Sequence, residues 1–297
     1  MPAPRLRELL EPGRGTLIAG VFDALSARAV QASGIEVGYV SGAGVANAHL
    51  GAPDLGLVTA TEMATHIAAC RDAVQIPLIA DADTGFGNAL NLVRTVRAFE
   101  RAGANAIQIE DQVFPKRCGH FEGKRVVPVE EMVQKVRAAV DTRISSEFLV
   151  VARPDALAVE GFQATLDRAA AYLEAGADVL FIEAPECERE LREIPRCLPG
   201  RHLCNIVHGG RTPMLPREVL ATFGSAGILY ANAALQAAML AMRDTLRHLR
   251  EVGSLAGIED KLVEFADRQV AVDLQSWLDL GREYGADPGE VVHPRAP

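Results

Sequence analysis

Arg101-Ala102-Gly103-Ala104-Asn105-Ala106-Ile107-Gln108-Ile109-Glu110-Asp111 reads as the end of a helix, a turn, and a strand that finishes in two acids. The glycine stands where a helix would stop and the chain reverse into the next element. The same device recurs at Glu174-Ala175-Gly176-Ala177 and at Gln31-Ala32-Ser33-Gly34, each ahead of a β-branched run. Working outward, eight candidate strands follow at 16–21, 37–42, 77–83, 106–111, 149–155, 179–184, 203–207 and 227–232. Amphipathic helical patterns lie between them, for example at 89–104, 129–143 and 162–177. Regular alternation of strand and helix predicts a parallel sheet, and eight such units predict an α/β fold, a (β/α)8 TIM-type barrel. An open doubly wound sheet is the alternative, but no Gly-x-Gly-x-x-Gly follows the first strand.

After the eighth strand a long helix at 233–253 and further helical sequence at 258–284 exceed what a barrel needs. The expected organisation is therefore a catalytic barrel over 1–253 and a C-terminal helical extension over 254–297 that packs on the barrel or a neighbouring subunit and makes oligomer contacts. With 297 residues and 49% hydrophobic content the chain can bury a large core. Its net charge of -9, without a basic stripe, argues against a nucleic-acid partner. No apolar run is long enough to span a bilayer and the N-terminal segment lacks a signal-peptide core, so a cytoplasmic, non-membrane protein is expected. Five cysteines at irregular spacing, Cys70, Cys118, Cys187, Cys197 and Cys204, form neither a disulfide framework nor a zinc site. Four of them fall in or beside predicted elements, where a cysteine is usually a small buried hydrophobe.

In a barrel of this kind the chemistry sits at the carboxyl ends of the strands. Those ends carry Ser41, then Asp81 and Asp83, Glu110 and Asp111, Arg153 and Asp155, Glu183, and finally Asn205 and His208. A single acid there can simply start a turn. Asp81, Asp83, Glu110 and Glu183 converging on one mouth would raise each other's pKa unless a cation intervened, and oxygen donors select Mg²⁺ or Mn²⁺. The loop Glu110-Asp111-Gln112-Val113-Phe114-Pro115-Lys116-Arg117-Cys118-Gly119-His120-Phe121-Glu122-Gly123-Lys124 is long and basic. Lys116, Arg117 and His120 flank Cys118, which would lower the thiol pKa and suit it to proton transfer. Gly119 and Gly123 permit the loop to close over a bound acid.

These residues and motifs resemble the isocitrate lyase and phosphoenolpyruvate mutase superfamily, in particular its branch of 2-methylisocitrate and 2,3-dimethylmalate lyases. The resemblance runs over 6–253. It rests on Tyr39-Val40-Ser41-Gly42-Ala43-Gly44, Gly51-Ala52-Pro53-Asp54-Leu55-Gly56, Ala80-Asp81-Ala82-Asp83-Thr84-Gly85-Phe86-Gly87, Lys116-Arg117-Cys118-Gly119-His120, Ala152-Arg153-Pro154-Asp155-Ala156, Phe181-Ile182-Glu183-Ala184 and Asn205-Ile206-Val207-His208-Gly209-Gly210.

The resemblance implies a Mg²⁺-dependent carbon-carbon lyase acting on a small 2-hydroxy di- or tricarboxylic acid and leaving a 2-oxo acid such as pyruvate. It makes Asp83 the principal metal ligand, with Asp54, Asp81 and Glu110 holding the ion's water shell. The amides of Ser41, Gly42 and Ala43, the Ser41 hydroxyl and Arg153 would grip the carboxylate of the 2-oxo-acid portion. Glu183 and Asn205 would reach the other half, with His208 by the pocket wall. Cys118 would protonate the departing carbanion, and Tyr39 is one candidate for the base at the hydroxyl. It also implies a homotetramer of dimers that exchange their last barrel helix. Two departures bear on the substrate: Pro154 stands where relatives carry threonine, and His208 where many carry glutamate. Alternatives within the fold are a carboxyphosphonoenolpyruvate-type phosphonomutase and an oxaloacetate decarboxylase or hydrolase; outside enzymology, an inactive scaffold.

Overall fold

The computed structural model of the chain describes residues 5–117, 119 and 123–286. Eight parallel strands are formed by β1 (Thr16–Val21), β2 (Val37–Val40), β3 (Leu78–Asp81), β4 (Ala106–Glu110), β5 (Leu149–Arg153), β6 (Val179–Leu180), β7 (Leu203–Asn205) and β8 (Gly227–Tyr230). They run in the order β6-β5-β4-β3-β2-β1-β8-β7. A parallel bridge between Leu180 and His202 joins the two outer strands, so the sheet is nearly closed on itself. The expected (β/α)8 barrel is the fold found.

The glycine-ended repeat has a physical basis. Gly34, Gly103 and Gly176 take φ of +80°, +95° and +104°, conformations that a side chain would strain. Each donates its amide back to the preceding helix, to the carbonyls of Gln31, Glu100 and Leu173. The helix thereby stops and the chain enters the next strand.

Period-two alternation then sorts side chains. On β4, Ile107 and Ile109 enter the core between sheet and helices, while Gln108 and Glu110 face the barrel interior with Tyr39. The lower interior is filled by Val37, Ile79, Leu149, Val151, Val179, Phe181 and Leu203, so the barrel is packed and its chemistry is confined to one end.

The strands end sooner than the sequence suggests, most markedly β6, which the sequence carries to 184. Pro154 is the reason. Its carbonyl accepts from the Glu183 amide at 3.2 Å, but proline has no N–H to return to β6. The chain past β6 is irregular, and Ala184 adopts φ +56°. Among the cysteines, Cys70 and Cys204 are buried as expected, whereas Cys197 is exposed at the end of the helix Glu188–Cys197.

The chain divides into two compact units, residues 1–238 and 239–297. The helix Ala233–Val252 crosses that boundary, and the second unit also holds the helices Phe265–Ala271 and Leu274–Glu283. Large apolar side chains are exposed on it, including Met239, Met242, Leu246, Val263, Phe265 and Trp277. No described helix is long and apolar enough to cross a membrane.

Candidate active site

The acids of β3 and β4 meet at the mouth because the main chain pulls them together. The Glu110 amide donates to the Asp83 carbonyl at 2.8 Å, and the Ala82 amide to Gln108 at 2.9 Å. Asp81 folds back over the turn, accepting from the Asp83 amide at 3.1 Å and, with its other oxygen, from the Gly42 amide at 3.0 Å. Asp83 itself sits at φ +46°, a backbone conformation uncommon outside glycine.

Into this cluster the loop after β4 sends Lys116, whose ammonium pairs with Asp54 and lies 2.9 Å from Asp83 Oδ1. Burial works against that charge, but Asp83, Glu110, Asp54 and Asp81 outweigh it and hold the lysine well above its usual range. One ammonium does not satisfy the group. Burial, only partly offset by Lys116, pushes Asp83 up to about 6, and burial likewise pushes Glu110 well above the carboxylate range. Glu110 Oε1 is a buried acceptor without a hydrogen bond, and Asp83 Oδ1, equally buried, has the Lys116 ammonium against it.

The opposite sector is organised around Arg153. Its guanidinium donates to Asp155 through Nε at 2.9 Å and Nη2 at 3.2 Å, approaches Glu110 at 3.5 Å and Glu183 at 3.7 Å, and lies over the Phe181 ring. Asp155 is completely buried yet its carboxyl is held below the usual range. The burial penalty is overcome by Arg153 and by Lys124, whose Nζ lies 3.0 Å from it. Behind it Asp111 accepts from the Asp155 amide and the Tyr172 hydroxyl, both at 2.8 Å.

Sequence reasoning placed several other residues here with mixed results. Ser41 and Asn205 are buried at strand ends, and Glu183 is buried in the irregular chain three residues past β6. Of the three amides expected to hold a carboxylate, Ser41 donates to the Val21 carbonyl and Gly42 to Asp81. Among the described residues this leaves the Ala43 amide and the Ser41 hydroxyl proton. Tyr39 is buried with its hydroxyl donated to Gln108 Oε1; burial and Asp81 push its pKa well above 10, which makes it a donor and a poor base. His208 is exposed, its carbonyl accepting from Gln236 at 3.3 Å. Arg117 is exposed, with its main chain held on both sides by the Gln112 amide group. Cys118 and His120 lie outside the described residues.

The chain matches the family model for phosphoenolpyruvate phosphomutase over residues 6–250. It belongs to the phosphoenolpyruvate mutase/isocitrate lyase superfamily. It is 43% identical to the 2,3-dimethylmalate lyase of Eubacterium barkeri, covering 95% of this chain and 98% of that one. It is 42% identical to the 2-methylisocitrate lyase of Aeropyrum pernix, covering 90% and 86%. Among solved structures, an oxaloacetate acetylhydrolase with the inhibitor 3,3-difluorooxalacetate superposes with TM-score 0.91 at 33% identity over 96% and 98% of the two chains. A phosphonopyruvate hydrolase solved with oxalate and Mg²⁺ superposes with TM-score 0.84 at 30% identity over 94% and 97%.

In this superfamily member the residues to which sequence reasoning gave no role, two of which, Asp111 and Asp155, it had placed at strand ends, are those that organise the assigned ones. Lys124, Asp155 and Asp111 position Arg153 and the strand ends, and Gln108 holds Tyr39. Gln108 did leave a signal, a polar residue two before Glu110 and hence on the same inner face. Lys124 left none, since one more lysine in a basic loop reads as solvated.

Proposed function

We propose that this chain is a Mg²⁺-dependent carbon-carbon lyase that cleaves a 2-methylisocitrate-like or 2,3-dimethylmalate-like 2-hydroxy acid to a 2-oxo acid such as pyruvate and a second carboxylate. The observation that carries it is the charge imbalance at the mouth: Asp54, Asp81, Asp83 and Glu110 against Lys116. Among the described residues no group of three or more acidic, histidine or cysteine side chains is arranged to cage a metal directly. That donor set fits Mg²⁺, which keeps several waters and uses one or two carboxylates. Asp83 would hold the ion, and Asp81, Asp54 and Glu110 its waters. When bound it supplies electrostatic stabilisation of negative charge developing on the substrate's 2-oxygen.

The protein groups divide the remaining work. Arg153, the Ser41 hydroxyl and the Ala43 amide bind and orient the 2-carboxylate, the guanidinium already aimed by Asp155. The Tyr39 hydroxyl, buried, protonated and donating to Gln108 Oε1, is not the base. The 2-hydroxyl proton passes to a general base, the O–H electron pair closes the C2=O double bond, the C2–C3 bonding electrons depart with C3, and a proton is returned to C3. Cys118 is assigned that last step as the thiol, with Lys116, Arg117 and His120 lowering its pKa so that the proton is given up readily and the thiolate left behind is reprotonated before the next turnover. Glu183 and Asn205, with Oδ1 of Asn205 buried and without a partner, face the departing fragment, and His208 stands at the outer rim. The reading extends to a cytoplasmic homotetramer; the apolar side chains exposed on residues 239–286 support self-association.

Purified protein with Mg²⁺ is expected to release pyruvate or glyoxylate from a panel of 2-alkylmalates and 2-methylisocitrate. Absence of any 2-oxo acid across that panel overturns the reading. Oxaloacetate is assayed separately, by release of acetate and oxalate, because the neighbouring fold of the acetylhydrolase makes its cleavage the second reading.

A further inference from the structure

Lys124 lies one residue past Gly123 in the basic loop after β4, where a lysine ordinarily leaves its ammonium in water. Its side chain is 2% exposed. Desolvating an ammonium is costly unless its donors are satisfied, and the two acceptors Lys124 uses are unequal. One is Asp155 Oδ1 at 3.0 Å, the carboxylate that orients Arg153 through two further hydrogen bonds. The other is a main-chain carbonyl, that of Gly119, at 2.6 Å. Residue 119 follows Cys118 directly in the chain. Its backbone runs so close to the substrate-facing side chains that a Cβ there would stand 2.3 Å from Glu183 Oε1 and 2.4 Å from Arg153 Nη2.

We propose that Lys124 is a positioning residue: its buried ammonium ties the main chain beside Cys118 to Asp155, and through Asp155 to Arg153. The main chain at Gly119 and the guanidinium that grips the carboxylate are thereby held together through one side chain. Lys124 contacts neither substrate nor reacting atoms in this arrangement. Its kinetic consequence rests on the lyase reading; its structural consequence does not.

The test uses full-length Lys124→Met, which keeps the stem and removes every donor, and Lys124→Gln, whose amide retains donors without the charge. In Lys124→Met, kcat is expected to fall about 30-fold while KM moves less than about threefold, because the tie orients and does not bind. Tryptic cleavage after Arg117, followed as the fragment ending at that residue, is expected to speed up about tenfold. Lys124→Gln is expected to recover about half of each effect on a logarithmic scale, which leaves kcat and the cleavage rate measurably different from wild type. A purely structural lysine would lower the melting temperature of both variants and leave kcat and the cleavage rate near wild type, which overturns the inference. If Lys124→Met does not fold, Lys124→Gln decides, with kcat and cleavage both indistinguishable from wild type as the overturning result. If wild type cleaves none of the substrates, the lyase reading fails by itself, and unchanged cleavage after Arg117 in the variants remains the result that sinks the tie.

Discussion

The two sides of the barrel mouth solve the same problem, buried charge, in opposite ways. On the β3–β4 side four carboxylates face one ammonium, with Arg153 reaching Glu110 from the other side at 3.5 Å, and Asp83 and Glu110 are still pushed up. On the β5–β6 side Arg153 and Lys124 face Asp155 and Glu183, and Asp155 is held down in spite of complete burial. A sector short of positive charge calls for a cation from outside. A balanced sector is already organised, so it can present a fixed guanidinium to an anion without rearranging. The division of labour in the proposed reaction, metal on one side and carboxylate grip on the other, follows from that difference.

Breaking the acidic side should cost most. Asp83→Ala is expected to lower Mg²⁺-supported turnover by about 10³-fold, the equivalent of several kcal/mol of transition-state stabilisation, read as 2-oxo acid release across a Mg²⁺ titration. A variant with normal Mg²⁺-dependent turnover would remove Asp83 from its role. Cys118→Ser, which leaves both sectors intact, is expected to reduce turnover at least about a hundredfold while pyruvate binding, measured by calorimetry, stays within error. Breaking the balanced side should act on binding: Arg153→Lys loses the planar fork and is expected to weaken pyruvate about tenfold to a hundredfold. Equal affinity for pyruvate would show that the carboxylate is held elsewhere.

The smallest effect, and the one that separates the sectors most cleanly, is on stability against pH in metal-free protein. Asp83 titrates near 6 when folded and near 3.8 as a free side chain. Its contribution is therefore fully present below about 4 and lost as pH rises through about 6. Asp155 is depressed, so its contribution is present above the unfolded value and lost on acidification below it. Thermal melts should show Asp83→Asn flattening the decline between pH 4 and 6, and Asp155→Asn weakening the protein chiefly above pH 4. The same sign of change in both variants would contradict the distinction.

How far this could be read from the sequence depended on whether a feature is local. Strand number and the turn glycines were legible, because Gly34, Gly103 and Gly176 declare a positive φ within a few residues of a helical pattern. Strand length was not, since the end of β6 is decided across the sheet by Pro154, the residue after β5. The acids of the site were legible as strand ends, and the structure brings Asp81, Asp83 and Glu110 together. Which partner each one takes was not. The Gly42 amide is engaged by Asp81, from a strand whose register no pattern in either segment specifies. Lys124 reads as solvated until the fold places Asp155 beside it.

The account stands on the unmet negative charge of the β3–β4 sector. Calorimetric titration of Mg²⁺ into wild type and Asp83→Ala at pH 7, without substrate, tests it most directly. One saturable site in the wild type, weakened at least about tenfold in the variant, is the predicted result. Equal binding by both proteins, or no binding by the wild type, would contradict it.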